Sequence, residues 1–206
     1  MWSKLELRAG RIESATIFAK ARKPAYQLIV NFGEYTRQTS AQLTRLYKPE
    51  DLVGRQVMAV CNFPVRLIAG FRSQILVTGL IEPDGVTVHL AQPAAEVPLG
   101  SRVIAHGYNG SVEEKAPGEI DWACFEAVHK QVGTLMAKQA DSWGIEVGEG
   151  RIVSCLAPNC NPPLGSKLLV LLEETAGHVL GWQLPGEFVP VQIDAPEGIP
   201  NGTPLL

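Results

Sequence analysis

Short runs of alternating apolar and polar residues recur along the chain, and their spacing predicts a mainly β protein. In the first half they cover residues 5–15, 26–32, 55–62, 72–78 and 86–90. Each run is strand-sized and bounded by turn formers. Asn31-Phe-Gly33, Glu82-Pro-Asp-Gly85 and the stretch from Pro98 to Gly100 supply those turns. Residues 40–47 suit a short helix or 3₁₀ turn before the Lys48-Pro49 break. Five strands in about 100 residues predict a small closed barrel, because closure removes the exposed edges that an open sheet would leave.

A five-stranded barrel plugged by a helical or irregular segment has the oligonucleotide-binding (OB) architecture, and residues 1–107 are assigned to it. Residues 108–120 are polar, contain Gly110, Pro117 and Gly118, and lack periodicity, which predicts a linker. Beyond them Trp122, Phe125, Val128 and Val132 recur every three or four residues ahead of Leu135 and Met136, with Asp121 in the N-cap position. The spacing predicts one amphipathic helix over residues 122–140. Apolar runs return at residues 151–156, 167–172, 178–184 and 188–193. With the helix they make residues 121–206 a helix plus a small second β-rich domain, read as a degenerate OB-like unit. Residues 157–165 form an irregular loop, and residues 194–206 are rich in Pro and Gly. Leu5-Glu-Leu-Arg-Ala-Gly-Arg-Ile-Glu-Ser14 can be laid beside Ile145-Glu-Val-Gly-Glu-Gly-Arg-Ile-Val-Ser154. Duplication and chance explain that short echo equally well.

The 206 residues are 46% hydrophobic, enough for one large core or two small ones, and the formal net charge is -3. That average conceals two unlike halves. Residues 1–107 hold 13 Lys and Arg against 8 Asp and Glu, a local +5, whereas residues 108–206 hold 5 against 13, a local −8. Lys4, Glu6, Arg8, Arg11 and Glu13 interrupt every apolar run that could serve as a signal peptide. The longest apolar-rich stretches, residues 57–61 and 167–172, are strand-sized, far below the roughly 20 residues of a membrane span. The expectation is a cytoplasmic protein without membrane contact, its Cys61, Cys124, Cys155 and Cys160 reduced. No histidine follows those cysteines at finger spacing, and His89, His106, His129 and His178 make no His-Glu-x-x-His pattern. Neither a serine elbow nor a phosphate loop is present. The chain therefore reads as a non-enzyme with no metal, no cofactor and no catalytic residues.

Three linked stretches narrow the class of ligand. They are Ala21-Arg-Lys-Pro-Ala-Tyr-Gln-Leu-Ile-Val-Asn-Phe-Gly33, Ser40-Ala-Gln-Leu-Thr-Arg-Leu-Tyr47 and Gly54-Arg-Gln-Val-Met-Ala-Val-Cys-Asn-Phe-Pro64. Leu7-Arg-Ala-Gly-Arg-Ile12, Ile68-Ala-Gly-Phe-Arg-Ser73 and Glu96-Val-Pro-Leu-Gly100 extend the series in order over half the chain. Together they resemble the CsaA-type tRNA-binding domain. That resemblance implies an OB fold, a homodimer, binding of tRNA or similar structured RNA, and, for some bacterial members, a chaperone role in protein export. It implies RNA contacts from Arg22, Lys23, Tyr26, Arg37, Ser40, Gln42, Arg45, Asn62, Phe63, Arg66 and Arg72: cations for phosphate, amides for base edges, aromatics for stacking. Tyr26 and Phe71 alternate with apolar neighbours and suit a core more than a stacking platform, and Phe63 suits packing at a barrel rim. The chain departs from the family pattern at Val65, Leu67 and Ser73-Gln74; Leu67 removes a cation and Gln74 an acid, changes of opposite sign for RNA. The alternative is a polypeptide partner, held by an apolar groove or by the acidic half. The echo near Gly150 also permits a tandem-barrel monomer in which the second unit replaces a dimer partner.

Overall fold

The computed structural model describes residues 2–108, 120–174, 176–194 and 199–206. Its first strand, β1 (Leu7–Ile17), is long enough to pair twice. Residues 7–11 pair antiparallel with β4 (Gln56–Val60), and residues 11–17 pair with β2 (Tyr26–Asn31), with a register shift between Ile12 and Ser14. A bulge there bends the strand so that one chain segment serves both sides of a barrel. Gly10 sits at the inside of the bend, where a Cβ would lie 2.5 Å from Val30 Cγ1 and 2.8 Å from Phe32. β3 (Thr36–Ala41) pairs with β2, and β7 (Leu76–Val77) with β4. Between them in sequence come β5 (Arg66–Ile68) and β6 (Phe71–Ser73), a separate hairpin. Closure is partly side-chain made: Thr39 Oγ1 donates to Ile75 O at 2.7 Å, and Gln74 N donates to Gln38 O at 2.9 Å. The short helix α1 (Pro49–Leu52) precedes β4 and buries Leu52 in the barrel core with Ile12, Leu28, Val30 and Val57.

β8 (Gly79–Ile81) and β9 (Val88–Pro93) pair with each other, and β9 then joins β16 (Glu187–Ile193) at the far end of the chain. The expected strand at residues 86–90 thus belongs to the larger sheet and not to the barrel. The fifth stave is β3, which the hydropathy pattern missed because Thr36-Arg-Gln-Thr-Ser-Ala41 is polar up to its last residue and buries only Thr39. β10 (Ile104–Ala105) adds an edge to the same large sheet.

Residues 109–119, most of the expected linker, lie outside the described residues, as do residues 195–198 of the Pro- and Gly-rich tail. The helix expected over residues 122–140 is only α2 (Trp122–Glu126), capped by Asp121, whose carboxylate accepts from Cys124 N at 2.7 Å. Residues 130–138 are instead β11 (Lys130–Lys138). Val132, Gly133 and Thr134 are poor helix formers, and the three-residue recurrence that suggested a helix came from one turn, Trp122 to Phe125, followed by a strand with Lys130, Val132 and Leu135 inside. β12 (Ser142–Glu146), β13 (Ile152–Leu156), β14 (Lys167–Leu172) and β15 (Gly177–Leu184) complete the second unit. Its pairings run β13-β12-β11-β14-β15, and a parallel bridge from Cys155 to Gly177 returns β15 to β13. That order repeats the first barrel's, with β11 in the place of β1 and β14 in the place of β4. The echo at residues 145–154 does not follow this correspondence, since it spans the β12–β13 turn.

The two units share one core. Leu7, Ala9, Met58 and Val60 point out of the first barrel and pack with Val132, Leu169, Leu171, Leu180 and Trp182. Their alternating neighbours fill the barrel interiors, Val57 and Ala59 in the first, Leu168, Val170 and Val179 in the second. β4 is consequently buried at all five positions, as a strand covered on both faces must be.

Lys130 is buried at the end of α2. Its ammonium donates to Phe125 O at 2.7 Å and Val128 O at 3.1 Å, and stands 3.5 Å from the centre of the Phe125 ring. Loss of solvation pushes this group down to about 8, whereas an unfolded lysine titrates near 10.4. Between those values the native state holds fewer protons, so stability attributable to Lys130 rises as pH climbs from about 8 to about 10. Chemical denaturation across that window should show the wild type gaining stability relative to Lys130→Met; parallel pH profiles would contradict it. Gly10→Ala should cost about 1–3 kcal/mol through overpacking against Val30 and Phe32, read as a lower urea midpoint.

Candidate nucleic-acid interface

The outer faces of β1 and β4 are covered by the second unit, which leaves the outer faces of β2 and β3 to solvent. Along β2 the side chains alternate: Tyr26, Leu28 and Val30 are buried in the barrel, while Gln27, Ile29 and Asn31 face out. Gln27 lies across from Thr16 on one side and Ser40 on the other, forming a polar row. Ile17, the last residue of β1, is 74% exposed.

Two loops border this face. Loop 18–25 is closed by Phe18 N donating to Ala25 O and Ala21 N donating to Phe18 O. The β5–β6 hairpin turns on Ala69 and Gly70, both at positive φ (46° and 84°), which the tight two-residue turn requires. Phe18 is buried, and its ring centre lies 5.4 Å from that of Phe71, tying the first loop to the hairpin. Two shallow pockets flank residues 17–19. One, of about 450 Å³, is walled by Ala21, Pro24, Ala25 and Tyr26 with Arg22 and Thr44 at its edge. The other, of about 400 Å³, lies between Lys20, Gln27 and the hairpin residues 69–71.

Lys20, Arg22 and Lys23 project from the first loop, and Arg66 and Arg72 from the hairpin. Among the described residues none of these five is ion-paired to a carboxylate. Three other cations of the barrel are ion-paired: Arg11 with Glu96 at 2.5 Å, Arg8 with Glu6 at 2.6 Å, and Arg55 with Asp194. Five unneutralised cations on two loops can meet successive phosphates.

The structure distributes the candidate residues unequally. Arg22, Lys23, Ser40, Arg66 and Arg72 lie on the β2–β3 face or its loops, and Gln42 is exposed just beyond β3. Ser40 is partly committed, since its backbone N donates to Ser73 Oγ at 3.2 Å. Arg45 acts electrostatically on Asp84, whose carboxyl is held down to about 2 chiefly by hydrogen bonds from Thr87 and Val86. Arg37 stands half-buried toward the other end of β3, its guanidinium 4.5 Å from the Tyr35 ring. Tyr26 is buried and donates its hydroxyl to Tyr47 O at 3.0 Å. Asn62 is fully buried, accepting from Glu6 N at 3.1 Å and donating to Lys4 O at 2.8 Å. Phe63 packs 5.9 Å from Trp122 and 5.7 Å from Phe125, ring centre to ring centre. Sequence reasoning overlooked Ile17, Lys20, Gln27 and Thr44 as parts of this face, and read Phe71 as core more than as a stacking platform. The outward position of Gln27 in the alternation of β2 could have marked it; Phe71 enters only through the hairpin's placement.

The thiols belong to the cores. Burial pushes Cys61 in the first barrel and Cys155 in the second each up to about 12. Among the described residues no group of three or more His, Cys, Asp or Glu side chains is placed to hold a metal ion, and no helix is long and apolar enough to cross a membrane.

A family model described as "Putative tRNA binding domain" matches residues 7–102. The methionine–tRNA ligase of Thermococcus kodakarensis is 35% identical over 102 residues, which are 50% of this chain and 13% of the ligase. The chain thus spans about a seventh of the curated relatives it matches. Among solved structures, the chaperone CsaA of Bacillus anthracis shares 45% identity over 49% of this chain and 92% of its own, with a TM-score of 0.47. The C-terminal domain of Plasmodium vivax p43 is 18% identical, covers 92% of this chain and 98% of its own, and reaches a TM-score of 0.58. The p43 likeness covers both units and shows a shared fold.

Asn62 and Tyr26 have structural partners, so their removal should act on folding. Asn62→Ala should lower unfolding free energy by about 1–3 kcal/mol, because the buried Glu6 N and the partly buried Lys4 O lose their partner. The salt dependence of any RNA binding should stay unchanged in that variant; a shallower salt slope at unchanged stability would make Asn62 a ligand contact.

Proposed function

Because residues 7–102 belong to the tRNA-binding-domain family, we propose that this protein binds tRNA or a similarly structured RNA without catalysing a covalent step. The ligand lies on the β2–β3 face between loop 18–25 and the β5–β6 hairpin. One observation carries this reading: five cations, Lys20, Arg22, Lys23, Arg66 and Arg72, border a face with two pockets and have no carboxylate partner among the described residues. The second barrel packs against β1 and β4 and leaves the β2–β3 face uncovered. Arg37 and Arg45 are auxiliary cations, and Ser40 and Gln42 supply hydrogen bonds. We place the protein in the cytosol, where tRNA and reduced thiols coexist.

The apolar seam also bears on assembly. The outer faces of β1 and β4 are the surface a partner copy could have used, and they are occupied by the equivalent strands of the second barrel. This favours the tandem-barrel monomer over the homodimer. A solution mass near 22.3 kDa is the expected result; a stable species of twice that mass would restore the dimer.

A polypeptide-binding, chaperone-like role is the second reading, favoured by the exposed side chains of Ile17 and Leu67, the latter 72% exposed. Salt separates the two. Contacts to several phosphates predict a loss of about a hundredfold in tRNA affinity between about 50 and 200 mM salt, and replacing Arg22 and Lys23 by Ala should reduce the log–log slope by about 2. An apolar peptide site would keep most of its affinity. Failure of bulk tRNA to bind at low salt would overturn the RNA reading.

A further inference from the structure

The two pockets beside residues 17–19 differ in chemistry. The larger is walled by Ala21, Pro24 and Ala25, with polar groups only at its edge. The smaller places an aromatic, an amide and an ammonium together. Phe71 forms one wall beside the small residues of the turn, Gln27 rises from β2, and Lys20 stands on the opposing loop. Among the described residues no carboxylate lines it. The Gln27 side chain makes no hydrogen bond to another described residue, so its one acceptor and two donors are available to a ligand.

We infer that this smaller pocket is a subsite for a single unpaired base of RNA, an inference that rests on the RNA-binding reading above. A half-buried aromatic offers a stacking surface to any base. An adjacent amide can pair with a base edge through one donor and one acceptor, and a lysine within the same pocket can meet the flanking phosphate. A base inside an A-form duplex is stacked and paired, and cannot enter a recess walled by loops. The preferred ligand is therefore a loop, bulge or single-stranded end, with the other cations on the neighbouring backbone. The hairpin turn and the Phe18–Phe71 contact hold the pocket open without RNA.

The test uses the full chain and fluorescence anisotropy at several salt concentrations. The probes are a labelled single-stranded RNA of about 12 nucleotides, within the span of an OB barrel, and a blunt RNA duplex of equal phosphate count. Gln27→Ala trims a half-buried side chain that makes no hydrogen bond to another described residue, with the urea midpoint of each variant checked beside binding; Phe71→Leu keeps the apolar contact to Phe18 but removes the ring. Each should weaken single-strand binding by about tenfold with an unchanged salt slope, and leave duplex binding as in the wild type. Wild-type affinity in both variants, or equal losses on both probes, would overturn the base subsite while leaving RNA binding by the cations standing. Absence of binding to either RNA and to bulk tRNA at low salt would overturn the RNA reading itself. Displacement of single-stranded RNA from the pocket by an unstructured apolar peptide, with Gln27→Ala neutral, would assign the recess to polypeptide and also overturn the inference.

Discussion

The seam between the barrels is the constraint from which the rest of this fold follows. β4 and β14 each bury side chains on both faces, one set inside their own barrel and the other set against the opposite unit. Burial of that many Leu, Val, Met and Trp side chains, at roughly 1.5–3 kcal/mol each before entropy is counted, makes separation of the two units costly. Two side chains at its margin make hydrogen bonds: Trp182 Nε1 donates to Ser101 O at 3.1 Å, and Arg102 Nη2 donates to Leu5 O at 3.1 Å. The C-terminal residues extend the same logic. Leu206 and Gly79 exchange backbone hydrogen bonds, and Leu205 N donates to Lys130 O, so the end of the chain stitches β8 to β11.

Because β1 and β4 are covered, ligand access is left to β2, β3 and the loops that join them. The net charge of -3 then ceases to argue against a polyanionic partner. The second unit packs against one side of the first barrel, and five cations without a carboxylate partner among the described residues lie on loops of another. Over distances beyond a Debye length, roughly 8 Å in physiological salt, such faces act nearly independently. The local +5 of residues 1–107 is the more relevant quantity for a ligand approaching β2 and β3. The neutralised cations Arg8, Arg11 and Arg55 hold the barrel's own parts together.

Much of this was legible in the residues, and the failures have physical causes. Alternation located β1, β2 and β13, since one-sided burial imposes a period of two, and short continuous apolar runs marked β4 and β14. It passed over β3 and misread β11: β3 is held by cross-strand hydrogen bonds and side-chain closure to residues 73–75, and β11 follows α2 so closely that two periodicities ran together. The motifs singled out Arg22, Lys23, Arg66 and Arg72, cations that do border the face. They also singled out Asn62 and Tyr26, whose polar groups the fold uses for itself, because a motif does not record which way a side chain points.

The sequence by itself determined the class of the fold and the unlike charges of the two halves, which rest on local periodicity and composition, and the family of residues 7–102, which rests on the likeness of its linked motifs. Its longest apolar runs, residues 57–61 and 167–172, already marked strands with no polar face. Only the tertiary structure decided what covers those strands, and that the second unit repeats the strand order of the first. It alone decided that Lys20, Gln27 and Phe71, up to 51 positions apart, surround one recess. Such juxtapositions depend on long-range pairing and barrel closure, which no local pattern along the chain encodes.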